Sequence, residues 1–350
     1  MEKYILTDTL FTFIDENGNL LLNLPNEENL TFEDVDMLSK LLEILLVPAS
    51  RTDILEKMYE NKYDLEDGID DILVILTKNN IIKKYHEYNI YKKYLSNHDR
   101  MKYDRQIAHF SSQKGENYET ALISQNKIIN SSVLIIGVGG IGSYLSSGLA
   151  SIGVGNITLI DFDKIELSNT SRQILFQEVE IGLSKLDIAK KKLSKINPQC
   201  NIETLELEIK AISDLEILST FTFDVVILCA DQPRGEIQYI IDSYCYSNNI
   251  PFLLGGPFAQ GSIFLGPFVI PKKTKSYSEM APQPDFSLLN DGLRAVNNRS
   301  VSAIIDTDNA IAAKMMEVEI IKFLTKGHSY VESKQIVLNT QDWNKEEIIL

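Results

Sequence analysis

Cysteine, basic residues and long apolar runs are all in short supply in this chain, and each shortage excludes a class of protein. Among 350 residues there are three cysteines, Cys200, Cys229 and Cys245, and no CxxC. Neither a disulfide framework nor a four-cysteine zinc site can be built from them, so no zinc is expected and the compartment reads as reducing. The 34 Lys and Arg face 49 Asp and Glu, for a net charge of −15. Binding to nucleic acid needs clustered cations that displace counterions from phosphates, so no nucleic-acid partner is expected. No stretch approaches eighteen apolar residues, and the amino terminus, MEKYILTDTLFTF, has no basic region, sustained apolar core or cleavage signal. The chain reads as soluble and cytoplasmic, without a membrane partner.

What is present is concentrated between Val133 and Gln173. Val133 to Ile136 is an apolar run typical of a strand buried on both faces of a parallel sheet. Gly137, Gly139, Gly140 and Gly142 follow, then a small-residue run with helical spacing, Ser143 to Ile152. Strand, glycine turn and helix form a phosphate site: the turn lets backbone approach the anion, and the helix N-terminus offers free N–H groups. A second strand, Asn156 to Ile160, ends at Asp161, 19 residues past Gly142, where an acid can accept hydrogen bonds from a ribose. These features suit an NAD-dependent dehydrogenase as well as an ATP site. The next residues favour ATP. Asp163, Asn169, Arg172 and Gln173 follow the ribose position at once. Arg172 offers a planar fork of donors to phosphate oxygens, and Asn169 can help hold the leaving group or a metal shell.

The GxGGxG turn, the Asp161-Phe-Asp163 pair and Ser168-Asn169-Thr-Ser-Arg172-Gln173 together resemble the adenylation domain of the ubiquitin-activating (E1) family and its bacterial sulfur-carrier-activating relatives. With its short N-terminal extension the chain is most similar to the microcin C-type peptide adenylating branch. The resemblance implies an α/β fold, a Rossmann-like domain with a mixed sheet over residues 96–350, and ATP with Mg²⁺. Lys185, at the end of Gly182-Leu-Ser-Lys185, which leads into a helix over Leu186 to Ile196, matches the family's phosphate-binding lysine. Phe223 to Cys229 reads as another buried strand, and Asp231 at its carboxyl end is placed to hold Mg²⁺, although the family's Asp-Asn pair is Asp231-Gln232 here. Arg234 in the same loop can reach phosphate or peptide. Tyr103-Asp104-Arg105-Gln106 resembles the signature preceding the glycine turn, in which the arginine reaches the neighbouring subunit's triphosphate. That implies a homodimer with Arg105 donated across it. Residues 271–300, rich in Pro, Ser, Lys and Asn, match the loop that crosses over the active site. Asp306 to Thr325 reads as a closing helix, and residues 329–350 as edge strands.

Residues 1–95 read as a separate winged-helix-like α+β domain. Asn17-Gly18 between apolar runs is a hairpin signal, and Val35, Leu38, Leu41, Leu42 and Leu45 recur with helical period. The domain carries 19 acidic residues against 10 basic ones, a surface that repels phosphate. Such modules beside peptide-modifying enzymes resemble leader-recognition domains, which take a peptide as an added strand. The expected activity is therefore adenylation of a peptide's C-terminal carboxylate, with pyrophosphate release; the resemblance implies that the peptide is a short ribosomal one ending in asparagine. By resemblance the reaction continues through a succinimide to a nitrogen–phosphorus linked peptidyl-AMP. Cys229, in a buried strand, and Cys245, in a helix, lack an activating base, so thioester transfer is not expected. Activation of a ubiquitin-like sulfur carrier, an NAD-dependent reaction and a nucleotide-sensing repressor are the alternatives, in that order.

Overall fold

Hydrogen bonding around Asp15 makes the first turn. Its carboxylate accepts the N–H groups of Asn17 and Asn19 at 2.9 and 2.8 Å, and Gly18 takes φ +84°, which a side chain would resist. The computed structural model describes residues 2–7, 10–23, 30–113, 115–258, 261–285, 290, 292–293 and 304–350. They divide into two units, Met1–Asn126 and Lys127–Leu350.

The first unit contains β1 (Lys3–Leu6), β2 (Phe11–Ile14), β3 (Leu20–Asn23), β4 (Leu30–Phe32), α1 (Val35–Ile44), β5 (Ala49–Ser50), α2 (Arg51–Glu60), α3 (Ile69–Lys78), β6 (Ile82–Lys84), α4 (Asn97–Lys102), α5 (Asp104–Ser111) and α6 (Tyr118–Ile129), the unit boundary falling inside α6. Two three-stranded sheets have the orders β5-β1-β6 and β2-β3-β4. Asp34 caps α1 by accepting the Met37 N–H, and Ser50 with Asp53 forms a reciprocal cap on α2. Leu38, Leu41, Ile54, Met58, Ile69 and Leu76 then meet in one apolar core. Lys3–Leu6 is a strand that the composition of the amino terminus does not announce.

The second unit contains β7 (Ser132–Ile136), α7 (Gly140–Ile152), β8 (Asn156–Asp161), α8 (Lys185–Ile196), β9 (Asn201–Glu206), β10 (Val225–Leu228), α9 (Ile237–Ser247), β11 (Phe252–Phe258), β12 (Ser262–Val269), α10 (Tyr277–Met280), α11 (Asp306–Lys326), β13 (Lys334–Asn339) and β14 (Lys345–Ile349). One mixed sheet orders them β14-β13-β12-β11-β10-β7-β8-β9, parallel from β9 to β11 and antiparallel from β11 to β14. From β7 the chain winds outward through β8 and β9, then returns to β10 on β7's other side. The strand order reverses there, and a crevice opens beyond the strand ends. Val133 to Ile136 and Val225 to Leu228 are buried, as their unbroken apolar runs require. Helix α7 packs against α8 and against α11, and α9 packs with α10.

The sequence reads Gly261 to Ile270 as two apolar runs broken at Gly266-Pro267; the structure keeps one strand. Gly266, at φ +94°, and the missing N–H of Pro267 are absorbed by a bulge where β12 meets Leu253 and Gly255 of β11. Of the crossover loop expected at residues 271–300, residues 286–289, 291 and 294–300 lie outside the described residues, and the described part contains α10.

Candidate active site

The glycine turn sits where β7 ends, and its shape is enforced by close contacts. Gly137 adopts φ +93°, and a Cβ on it would stand 2.8 Å from the Ala230 nitrogen. A Cβ on Gly142 would lie 2.0 Å from the Gly137 carbonyl oxygen, so the first turn of α7 presses directly on the loop. Hydrogen bonds continue past the strands: Gly137 N–H donates to Ile160 O and Cys229 N–H to Ile136 O, both at 2.8 Å. The ends of β7, β8 and β10 are thereby held level.

The two acids after β8 have different surroundings. Asp161 is 7% exposed, and its carboxylate accepts three backbone N–H groups, from Val138 at 2.7 Å and from Phe162 and Asp163 at 2.8 Å. It ties the glycine turn to the end of β8. Asp163 keeps half of its side chain exposed and pairs at 2.6 Å with Lys185, which opens α8 and is 4% exposed. A buried ammonium on a carboxylate is a preset cation for an incoming phosphate.

Between these acids and α8, Leu167–Asn169 forms a 3₁₀ turn. Asn169 is buried and its side-chain oxygen accepts the Glu166 N–H at 3.1 Å, fixing the turn. The Arg172 guanidinium folds back on the Ser168 carbonyl, and Gln173 is buried beside it.

These groups line a cavity of about 870 Å³ drawn from the second unit alone. Glycines 137, 139 and 140, Asp161, Asp163, Asn169, Arg172, Gln173 and Lys185 all face it, as do Asp231 and Arg234 beyond β10. The Arg234 guanidinium lies 3.6 Å from the Asp231 carboxylate, whose side chain is 64% exposed. Gly142 stands behind the turn. Arg105 belongs to the first unit, in the first turn of α5, with its side chain 89% exposed.

Sequence reasoning missed Asn309 and Tyr277. Asn309, on α11, is 2% exposed and lies so close beneath Gly140 that a Cβ there would stand 2.5 Å from its side-chain oxygen. Tyr277 opens α10, whose first N–H groups and the Ser278 hydroxyl donate to the buried Asp242 at 2.6–2.9 Å. Burial pushes the Tyr277 phenol up to about 12, so it stays protonated at neutral pH. Burial also pushes the cavity-lining Cys229 thiol up to about 12 and raises Cys245, which leaves neither as a thiolate nucleophile.

No group of three or more His, Cys, Asp or Glu side chains among the described residues could hold a metal by itself. Mg²⁺ needs only one or two carboxylates when substrate phosphates supply the rest, and the exposed Asp231 carboxylate fits that donor set. No helix among the described residues is long and apolar enough to cross a membrane.

Residues 103–348 match the model of the ThiF family. The molybdopterin-synthase adenylyltransferase of Haemophilus influenzae is 33% identical over 188 residues, covering 53% of this chain and 72% of that protein; a second such enzyme is covered over 60% of its length. Among solved structures, the microcin C7 biosynthetic enzyme MccB in complex with N-formylated MccA superposes with a TM-score of 0.79 and 26% identity, covering 99% of this chain and 96% of that one. Escherichia coli MccB with ATP gives a TM-score of 0.77 and 25% identity over the same shares.

Proposed function

Since the chain belongs to the ThiF family, and so is an ATP-dependent adenylating enzyme, we propose that its acyl substrate is the C-terminal asparagine of a short ribosomal peptide, modified in the cytoplasm as in microcin C-type antibiotic biosynthesis. The observation that carries this reading is extent: the likeness to MccB runs over 99% of the chain and takes in the N-terminal unit, whereas the match to the Haemophilus adenylyltransferase covers 53%.

In this reading the peptide carboxylate attacks the α-phosphorus and pyrophosphate leaves. Such transfers depend on positioning and charge neutralisation. The N–H groups of the glycine turn meet phosphate oxygens, Lys185 and Arg172 balance the charge growing on the leaving pyrophosphate, and Asn169 holds the turn that carries Arg172. Asp163, half exposed, accepts from the ribose hydroxyls, while Asp161 holds the turn in shape. Asp231 would hold Mg²⁺, which supplies charge neutralisation on the phosphates when bound. Arg105 completes the site of the partner copy in a homodimer. The asparagine side-chain nitrogen then closes on the activated acyl carbon, releasing AMP and leaving a succinimide; its nitrogen, losing its proton, attacks the α-phosphorus of a second ATP and releases a second pyrophosphate.

Residues 1–95 would clamp the peptide. Strand β2 is the edge of its sheet, and Phe11 and Phe13 on it are 68% and 40% exposed, an apolar strand edge of the sort that accepts an added strand.

The test is pyrophosphate release from ATP with and without asparagine-ended peptides, followed by mass spectrometry of the peptide. Peptide-dependent release with an added AMP is expected. Release only with a Gly-Gly-tailed protein would instead make the chain a sulfur-carrier activator, the second reading, favoured by the Haemophilus relative.

A further inference from the structure

The carboxamide of Gln173 is buried on a fixed backbone and left incomplete. Its backbone is committed on both sides: the N–H donates to Asn169 O at 2.9 Å, and the carbonyl accepts from Phe176 N–H at 3.0 Å. The side chain is 4% exposed, lines the cavity, and brings its nitrogen within 3.8 Å of where a Cβ on Gly139 would stand. It therefore lies over the glycine turn. Its Oε1 is the one buried side-chain N or O atom among the described residues with no hydrogen-bond partner. Buried acceptors are nearly always satisfied, and an orphan in a buried side chain that lines a cavity marks a place where a ligand group completes the bond.

The chemistry of that group follows from the atom. An amide oxygen accepts and cannot donate, so its partner carries an N–H or O–H. Neither a triphosphate nor a carboxylate has one at neutral pH. Ribose hydroxyls and the adenine amino group do; the half-exposed Asp163 carboxylate already offers the hydroxyls an acceptor, and a glycine turn at a helix N-terminus receives phosphates rather than the base. What remains near the glycine turn is an amide N–H of the acyl substrate. We infer that Gln173 is a specificity-determining residue whose Oε1 accepts an amide N–H next to the reacting carboxylate. That N–H belongs either to the last peptide bond or to a terminal side-chain carboxamide. The inference rests on the adenylating reading and deepens it by assigning the substrate a donor as well as a carboxylate.

Gln173→Met keeps the volume and removes the acceptor. In the ligand-free enzyme its melting temperature is expected to equal or exceed wild type, because an unpaired buried polar atom is lost; a fall of several degrees would make the residue structural and overturn the inference. In turnover, KM for the acyl substrate is expected to rise about tenfold, the worth of one such bond, with KM for ATP unchanged. A rise in KM for ATP alone overturns it. Two altered peptides locate the donor: one N-methylated at the last peptide bond, one ending in aspartate. Whichever matters to wild type should lose its effect in Gln173→Met; if both penalties persist there in full, the inference fails. Should wild type accept only a Gly-Gly-tailed protein, the peptide reading falls, and the same KM comparison on that protein and its N-methylated tail still decides the role of Gln173.

Discussion

The glycine turn and the β2–β4 sheet break the ordinary rule of burial in opposite directions. Around the turn, polar groups are inside: Asp161, Asn169, Gln173 and Lys185 are between 4% and 7% exposed. In β2 apolar groups are outside, with Phe11, Phe13 and Ile14 at 68%, 40% and 53%. A buried polar cluster costs desolvation that hydrogen bonds within the protein, or to a bound ligand, must offset, which suits a small ligand of constant shape such as a nucleotide. An exposed apolar strand edge waits for a partner that brings its own backbone and covers the rings, which suits a peptide of variable sequence. On the proposed reading, the contrast separates a site built for chemistry from one built for capture.

The largest effect that would break this contrast is on Lys185. Lys185→Met should lower kcat for pyrophosphate release about 10²- to 10³-fold, as loss of a preorganised charge contact does; a small loss in the same assay would place the growing charge elsewhere. Gly142→Ala comes next. Its methyl group would meet the Gly137 carbonyl at 2.0 Å, so the loop must shift, and we expect a loss of about 1–3 kcal/mol in urea unfolding together with weaker ATP binding. Phe11→Ala with Phe13→Ala sharpens the other side. Unfolding stability should stay within about 0.5 kcal/mol, as for other exposed positions, while calorimetric affinity for the peptide falls and KM for ATP holds.

The smallest expected effect concerns β13 and β14. Lys345, Tyr330 and Lys334 hydrogen-bond the Glu347 carboxylate and lower it to about 2. A lowered acid contributes stability above its unfolded pKa, near 4.3, and loses it as pH falls through its folded one. Glu347→Gln should therefore melt slightly below wild type at pH 6, and the gap should close between about pH 4 and pH 2.

The parts legible in sequence were those where local chemistry dictates structure. The run from Val133 through the glycines to Asp161, the hairpin at Asn17-Gly18 and the helices opening at Val35 and Lys185 carry their own start and stop signals, and the structure forms each of them. Tyr277 and Asn309 were not legible. Each reaches the cavity through a distant partner, Asp242 on α9 or the close approach of α11 to the glycine turn, and neither partner leaves a spacing in the chain. The order of the two acids was half legible: their spacing suggests a ribose site, but only the three N–H groups gathered on Asp161 reveal that Asp163 has the freer carboxylate. Gly266-Pro267 misled because a break and a bulge use the same residues.

The sheet of the second unit ends at β9, NIETLE, which carries two glutamates, and at β14, KEEII, an outer strand whose residues are all exposed. Three of its five residues are charged, and the charges make joining a like strand alongside costly. Strand β2, FTFI, has no charge at all. As the protein is concentrated, self-association should therefore start at the N-terminal sheet and spare the catalytic one, and added peptide should delay it.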